Sequence, residues 1–297
     1  MPIALVTGAS GFTGQYMVGA LEKQGFQVVG LGNHSAPGAE NLICDLTDAS
    51  AVKSCIERIK PNWVIHLAAL SFVGHEDQRA FYDVNVFGTL NLLQALAELE
   101  TPPERILVAS SANVYGTPDI GKIDETMCPA PVNHYACSKL AMEHMVANWF
   151  ERLSIVITRP FNYTGPHQDL RFLVPKIVDH FTRNSPVIEL GNIDVSRDFS
   201  DVRDVVSAYM ALLNSEVAST RVNISSGTDT ALSTVIEKVS ALAGYEIEIQ
   251  VNPDFVRKDE IKRLCGNNQR LKQLTGWEPE YGLDTTLSDM LKAARRG

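Results

Sequence analysis

The sequence predicts an α/β fold: a doubly wound parallel sheet followed by a smaller C-terminal α/β lobe. Three observations carry this expectation. The first half alternates short apolar runs with segments of helical spacing, the pattern of parallel strands joined by crossover helices. A glycine-rich turn, VTGASGFTG, falls between the first apolar run and the first helical segment. After about Pro160 the texture is more broken, with short apolar runs set between further helical patterns.

Taken in order, IALVT, QVVGL, WVIHLAA, RILVASS and LSIVITRPF read as strands. Between them GQYMVGALEKQ, ASAVKSCIERI, YDVNVFGTLNLLQALAEL and YACSKLAMEHMVANWFERL carry helical spacing. That order places a ligand site at the carboxyl ends of the strands. Beyond Pro160, LRFLVPKIVDHFTRN, VRDVVSAYMALLN, LSTVIEKVSALAG and LDTTLSDMLKAARR read as helices, with short strands at PVIEL, RVNIS and EIEIQV. No repeat, low-complexity tract or long linker interrupts the chain. The expected division is therefore residues 1–160 for the sheet domain and 161–297 for a lobe that can cross back to it, with a cleft between.

Composition narrows the class. The chain has 297 residues, 45% hydrophobic and 21% charged, enough for one large core or a core plus a lobe. Its net charge of −9 argues against bulk binding to nucleic acid or to anionic membrane. No apolar run approaches the ~18 residues of a membrane span. The opening has no basic lead and reaches glycine too soon for a signal peptide. Cys44, Cys55, Cys128, Cys137 and Cys265 are scattered, without CxxC or His-rich spacing, so reduced thiols, no metal and a cytoplasmic location are expected.

Gly8, Gly11 and Gly14 lie three apart, directly after the first strand. A strand–glycine–helix turn lets backbone amides approach a pyrophosphate at a helix N-terminus, although a tight turn without a ligand has the same spacing. The position favours a Rossmann-type dinucleotide site. An NAD site usually has an acid at the end of the second strand; here VVGLGNHS offers Gly32, then Asn33, His34 and Ser35. Glycine leaves room for a 2′-phosphate and the polar neighbours can donate to it, which points to NADP(H) rather than NAD(H). Asp45, in ICDLTD, could accept from the adenine amino group or cap a helix.

NHYACSKLAMEHM, residues 133–145, sets Tyr135 and Lys139 four apart on one helical face. An ammonium there would lower the tyrosine's pKa toward the range of a general acid or base. Standing alone, the pair reads first as a half-buried aromatic beside a solvated charge, because short motifs match by accident.

The glycine spacing, HLAAL, NVFGTLNLL, ASSANVYG, YACSK and RPFNYTGP occur in the order found in extended short-chain dehydrogenases/reductases, which the chain resembles over essentially its whole length. The resemblance implies a catalytic triad of Ser111, Tyr135 and Lys139. The tyrosine would pass a proton to or from the substrate oxygen. The lysine would tune it and hold the nicotinamide ribose, and the serine would bond the same oxygen. Ser110 competes with Ser111, but counting back from VYG favours Ser111; Asn85 matches a structural asparagine. The implied cofactor set is Gly8, Gly11, Phe12, Thr13, Gly14, Gly32, Asn33, Asp45, Leu46, Leu67, Ala68, Ala69, Tyr135, Lys139 and Pro160.

RPFNYTGPHQ, GNIDVSRDFSDVRDVVSAY and RKDEIKRLCGN further resemble GDP-4-keto-6-deoxy-D-mannose reductases, relatives of GDP-mannose dehydratases and nucleotide-sugar epimerases. By that match Asn162, Lys176, Arg197 and Arg257 would hold the diphosphate and nucleoside of a GDP-linked sugar. Glu260 would bond the ribose, and Ser71 and Ser111 would meet the sugar. Arginine's planar fork suits a pyrophosphate. The dehydratases carry acids just after the catalytic serine or threonine, where this chain has Ala112 and Asn113, neither able to act as a base near neutral pH. The implied activity is NADPH-dependent reduction of a 4-keto group. A 4-epimerase with retained cofactor is the alternative, and a non-catalytic dinucleotide-binding protein is a second one that the intact triad opposes. FYDVNVFGTLNLLQALAEL and YACSKLAMEHMVANWF are apolar over more than one face, and relatives pair such helices into an intersubunit bundle, so a homodimer is expected.

Overall fold

The structure is a computed structural model that describes residues 1–118, 121–256 and 261–295. The first half runs β1 (Ile3–Thr7), α1 (Phe12–Lys23), β2 (Gln27–Gly32), β3 (Glu40–Ile43), α2 (Ala49–Ile59) and β4 (Trp63–His66). It continues with α3 (Gln78–Tyr82), α4 (Thr89–Ala97), β5 (Arg105–Ala109), α5 (His134–Ala147) and β6 (Ile155–Pro160). Next come β7 (Asn162–Thr164), α6 (Leu173–Thr182), β8 (Val187–Leu190), β9 (Ser196–Asp201), α7 (Val202–Leu213) and β10 (Thr220–Ile224). The rest is β11 (Asp229–Ala231), α8 (Leu232–Ala243), β12 (Glu248–Val251), β13 (Arg263–Leu264), α9 (Gln269–Thr275) and α10 (Leu283–Ala294).

Seven strands form one parallel Rossmann-type sheet in the order β10-β6-β5-β4-β1-β2-β3. Order reverses at β1, so the carboxyl ends of β1 and β4 open the crevice where a dinucleotide lies in such sheets. One face of the sheet packs on Met17, Val18 and Leu21 of α1 and on Val205, Tyr209 and Leu212 of α7. The other packs on Val52 and Ile56 of α2, Leu92, Leu93 and Leu96 of α4, and Met142 and Val146 of α5. Burying each such side chain contributes about 1.5–3 kcal/mol. Residues 202–224 return to the large sheet, with β10 pairing β6. A separate core of Val174, Ile177, Phe181, Val235, Val239 and Leu287 joins α6, α8 and α10.

The helix expected over 82–99 differs in its middle. It begins earlier, at Gln78 behind the cap Asp77, and residues Asp83–Gly88 form a π-helical turn between α3 and α4. The widened turn coincides with the buried Asn85, whose carboxamide accepts from Leu70 N at 2.8 Å and donates to Ser138 Oγ at 3.0 Å. Among the described residues, no helix is long and apolar enough to cross a membrane.

Candidate active site

The glycine loop is shaped by close approach. Gly8 has φ of +72°, and a Cβ there would lie 2.8 Å from Ala68 N. A Cβ on Gly14 would run into Gly8 O, and one on Gly11 would sit 3.2 Å from the same oxygen. α1 starts behind Gly11 with no side-chain cap and no acid in its first turn, so its positive end faces the loop. A cradle that side chains would fill, at an uncapped helix N-terminus, fits a dinucleotide pyrophosphate. Phe12 stacks on Tyr163 at 6.1 Å, and Thr13 Oγ1 meets Tyr163 Oη at 2.8 Å. Leu67, Ala68 and Ala69 follow β4 half-buried, with Ala68 N donating to Thr7 Oγ1 at 3.2 Å.

Gly32 ends β2, where an added Cβ would meet Gly8 N at an ordinary 3.8 Å, and Asn33 beside it is exposed. Asp45 is exposed and its Oδ1 accepts from Thr47 N at 2.9 Å and Thr47 Oγ1 at 2.8 Å, which closes a turn; Asp48 is the cap of α2. Leu46 is buried, and its carbonyl accepts from Asn91 Nδ2 at 2.8 Å. Pro160 is buried at the end of β6.

Ser111, Tyr135 and Lys139 come together at the carboxyl end of β5. Ser111 caps the short 3₁₀ turn Ala112–Tyr115, accepting from Asn113 N at 3.2 Å. α5 starts behind Asn133, whose Oδ1 accepts from Ala136 N at 2.9 Å, and this puts Tyr135 in its first turn. Tyr135 is 8% exposed and Lys139 3%. Burial pushes the Tyr135 phenol up to about 12, with the Ser111 hydrogen bond pulling it down and Tyr163 adding to the rise. The expectation that the ammonium lowers the tyrosine's pKa is corrected: burial raises it, and Lys139 Nζ donates to Ala109 O at 2.8 Å. Burial also pushes Lys139 down to about 8, against the opposing charge of Glu143. At neutral pH, Tyr135 is thus a neutral phenol with a proton to give.

A buried polar chain that sequence reading missed runs behind this pair. Thr7 Oγ1 meets His66 Nδ1 at 2.7 Å, His66 Nε2 meets Thr89 Oγ1 at 2.8 Å, and Thr89 Oγ1 donates to Asn85 O at 2.7 Å. From Asn85 it passes to Ser138, whose hydroxyl donates to Tyr135 O at 2.7 Å. Ser110 and Ser111 part company: Ser111 bonds Tyr135, whereas Ser110 Oγ donates to Glu143 Oε1 at 2.6 Å. The available signal for Glu143 was its i+4 spacing from Lys139 on the face already carrying Tyr135.

The candidate sugar and nucleotide residues are less gathered. Ser71 and Asn162 are exposed after β4 and at the start of β7. Lys176 Nζ donates to Glu189 O at 2.8 Å and lies 4.8 Å over the Phe255 ring. Arg197 is buried in β9, its Nη1 donating to Ser196 O at 2.8 Å and Lys262 O at 3.2 Å. Arg257 and Glu260 lie outside the described residues. Ala112 is buried and Asn113 half-buried beside Ser111, so no carboxylate stands at either position. Among the described residues, no group of three or more His, Cys, Asp or Glu side chains could hold a metal ion.

A doubly wound sheet with a glycine cradle after β1 and a buried Ser–Tyr–Lys set beyond β5 defines an extended short-chain dehydrogenase/reductase, an NAD(P)-dependent class of enzyme. The chain belongs to the GDP-mannose 4,6-dehydratase family, whose profile matches residues 5–290. It is 36% identical over 273 residues to a GDP-6-deoxy-D-talose 4-dehydrogenase of Aggregatibacter actinomycetemcomitans, covering 92% of this chain and 90% of that one. A GDP-6-deoxy-D-mannose reductase of Pseudomonas aeruginosa is 37% identical over 242 residues, covering 78% of this chain and 79% of the relative. The solved structure of RMD from Pseudomonas aeruginosa complexed with NADPH superimposes with a TM-score of 0.88 at 32% identity, covering 100% of this chain and 99% of that one.

Proposed function

We propose that the protein is an NADPH-dependent 4-ketoreductase that converts GDP-4-keto-6-deoxy-D-mannose to GDP-D-rhamnose or its 4-epimer. The observation that carries this reading is a buried Tyr135 bonded to Ser111, with Ala112 and Asn113 where a dehydratase needs an acid. Tyr135 donates its proton to the carbon-4 oxygen as negative charge develops there, and Ser111 bonds the same oxygen. Lys139 steadies the site with its ammonium and reaches the ribose beside it. The dinucleotide, when bound, supplies hydride to carbon 4. Residues 1–160 hold the dinucleotide, through the glycine loop and its neighbours, and 161–297 chiefly hold the nucleotide sugar. Asn162, Lys176, Arg197, Arg257, Glu260 and Ser71 are the proposed sugar-nucleotide contacts. The preference for NADPH over NADH is supported by Gly32, which leaves space where an acid would repel a 2′-phosphate.

The protein is further proposed to be a cytoplasmic homodimer paired through α4 and α5. Support comes from the scattered free cysteines and from Phe87, which lies 54% exposed on the π turn leading into α4. The activity is tested by incubating the protein with NADPH or NADH and a panel of GDP-, dTDP- and UDP-linked 4-keto sugars, with products identified by NMR. Reduction of the GDP-linked substrate with NADPH is expected; reduction of none of them would refute the reading. The two relatives are named for sugars that differ in configuration at carbon 4, and the ring coupling constants of the product decide between those configurations.

A further inference from the structure

Ser110 immediately precedes the serine that bonds Tyr135, yet its own hydroxyl turns away into the core, donating to Glu143. Glu143 is fully buried, two turns beyond Tyr135 and one beyond Lys139 on the same helix. Its carboxylate has both oxygens filled. Oε1 accepts from Ser110 Oγ and from Arg159 Nε at 2.8 Å; Oε2 accepts from Arg159 Nη2 at 2.6 Å and Arg221 Nε at 3.0 Å. Arg159 lies on β6 and Arg221 on β10, and Arg159 Nη1 donates on to Tyr115 Oη at 2.9 Å. A carboxylate offers about four acceptor positions, and these four donors take them all.

We propose that Ser110 and Glu143 are positioning residues whose hydrogen bond sets the separation between Ser111 and Tyr135. The proposal rests on the reading of Ser111 and Tyr135 as the pair that serves the carbon-4 oxygen. Ser111 follows Ser110 along the chain, so a shift of Ser110 carries the Ser111 backbone with it, while its hydroxyl is oriented by Asn113 N. Tyr135 rides on α5, and the Ser110–Glu143 bond ties α5 to the segment just beyond β5, in addition to the Tyr135–Ser111 bond and the Lys139 contact with Ala109 O. Charge balance for Glu143 is already met by the two arginines, so the neutral Ser110 hydroxyl adds register rather than charge. The bidentate Arg159 pairing holds the carboxylate in one orientation and gives the tether a defined direction. A reacting group displaced by about 1 Å can cost up to ~10²-fold in rate, which is the scale on which such a tether acts.

Glu143→Gln leaves two cations without their partner and is expected to unfold the protein readily, so Ser110→Ala carries the test, since it keeps the ion pair. Its kcat with NADPH and the 4-keto sugar should fall roughly ten- to hundredfold, with the Kd for NADPH and the Tm close to parental. In a Ser111→Ala background the same change should cost nothing further, because a residue acting through Ser111 has nothing left to act on. Parental kcat in Ser110→Ala would overturn the proposal. So would losses that multiply in the double variant, or a fall in kcat matched by equal weakening of NADPH binding, both marks of general loosening. Tyr135→Phe is measured alongside. If it keeps parental turnover the catalytic reading itself fails, whereas an inactive Tyr135→Phe beside a parental Ser110→Ala removes the positioning role alone.

Discussion

Tyr135 combines two demands in one side chain: a ring packed into the protein and a phenol that keeps its proton until the substrate oxygen needs it. Tyr135→Phe preserves the ring and removes the proton, so turnover should drop by the ~10²–10⁴-fold typical of a lost general acid while NADPH binding is unchanged. Single-turnover rates and fluorescence titration check this; parental turnover would make the tyrosine structural. Lys139 gives a pH signature. Its ammonium, pushed down to about 8 by burial, is lost as pH rises through that value. The charged and titratable groups acting on it are Glu143 on its own helix and His66 on β4. NADPH affinity should therefore weaken above about pH 8 in the parent, whereas Lys139→Ala should bind weakly and show no such limb. The Tyr135–Lys139 pair was legible because four residues define one helical face. The upward shift by burial was not, since desolvation depends on everything packed around the ring. Counting back from VYG already favoured Ser111 over Ser110, but that Ser110 meets Glu143 was visible only in the fold.

Between elements, the chain from Thr7 through His66, Thr89, Asn85 and Ser138 bonds β1, β4, α4 and α5 behind the site. His66 is wholly buried and is pushed down to about 3 by burial, with Lys139 adding to the shift. The unfolded chain would protonate it near pH 6.5, so between about 6.5 and 3 the unfolded state binds the extra proton and stability falls with falling pH. Between pH 6.5 and 5, above the main carboxylate range, the loss should amount to about 1.6 kcal/mol. His66→Gln should remove that slope; thermal melts across this window, parent against variant, read it directly, and parallel curves would contradict it. The inner strands of the large sheet were legible because both faces are buried and their sequences run apolar, whereas the edge strand β3, with Glu40 and Ile43 exposed, was missed. β9, with Asp198, Ser200 and Asp201 all buried, was not legible either, because its polar side chains are satisfied internally. Asp198, for example, accepts from Ser226 N at 2.9 Å and Gly227 N at 3.0 Å. The π turn around Asn85 was equally hidden, since apolar periodicity does not distinguish a widened turn from an α-helical one.

Across the whole molecule, the sequence predicted the architecture well because alternating strands and helices with right-handed crossovers leave few arrangements open. The nucleotide-sugar end was less legible. Lys176 and Arg197 are bonded to backbone carbonyls in this structure, and which cations face a ligand is set by packing rather than by residue type. At this scale the proposed dimer makes a definite prediction. Phe87→Lys places a charge on an apolar side chain that is 54% exposed, and it should convert the protein to a monomer by light scattering at micromolar concentration. A parent that already weighs one chain would contradict the pairing. The central claim, reduction at carbon 4 alone, is met most directly by stoichiometry: the protein is incubated with GDP-4-keto-6-deoxy-D-mannose and a measured amount of NADPH, and oxidised cofactor and GDP-6-deoxyhexose are quantified together. One NADPH consumed per sugar reduced is the predicted result; a change of the sugar with no net NADPH consumed, or no product at all, would contradict it.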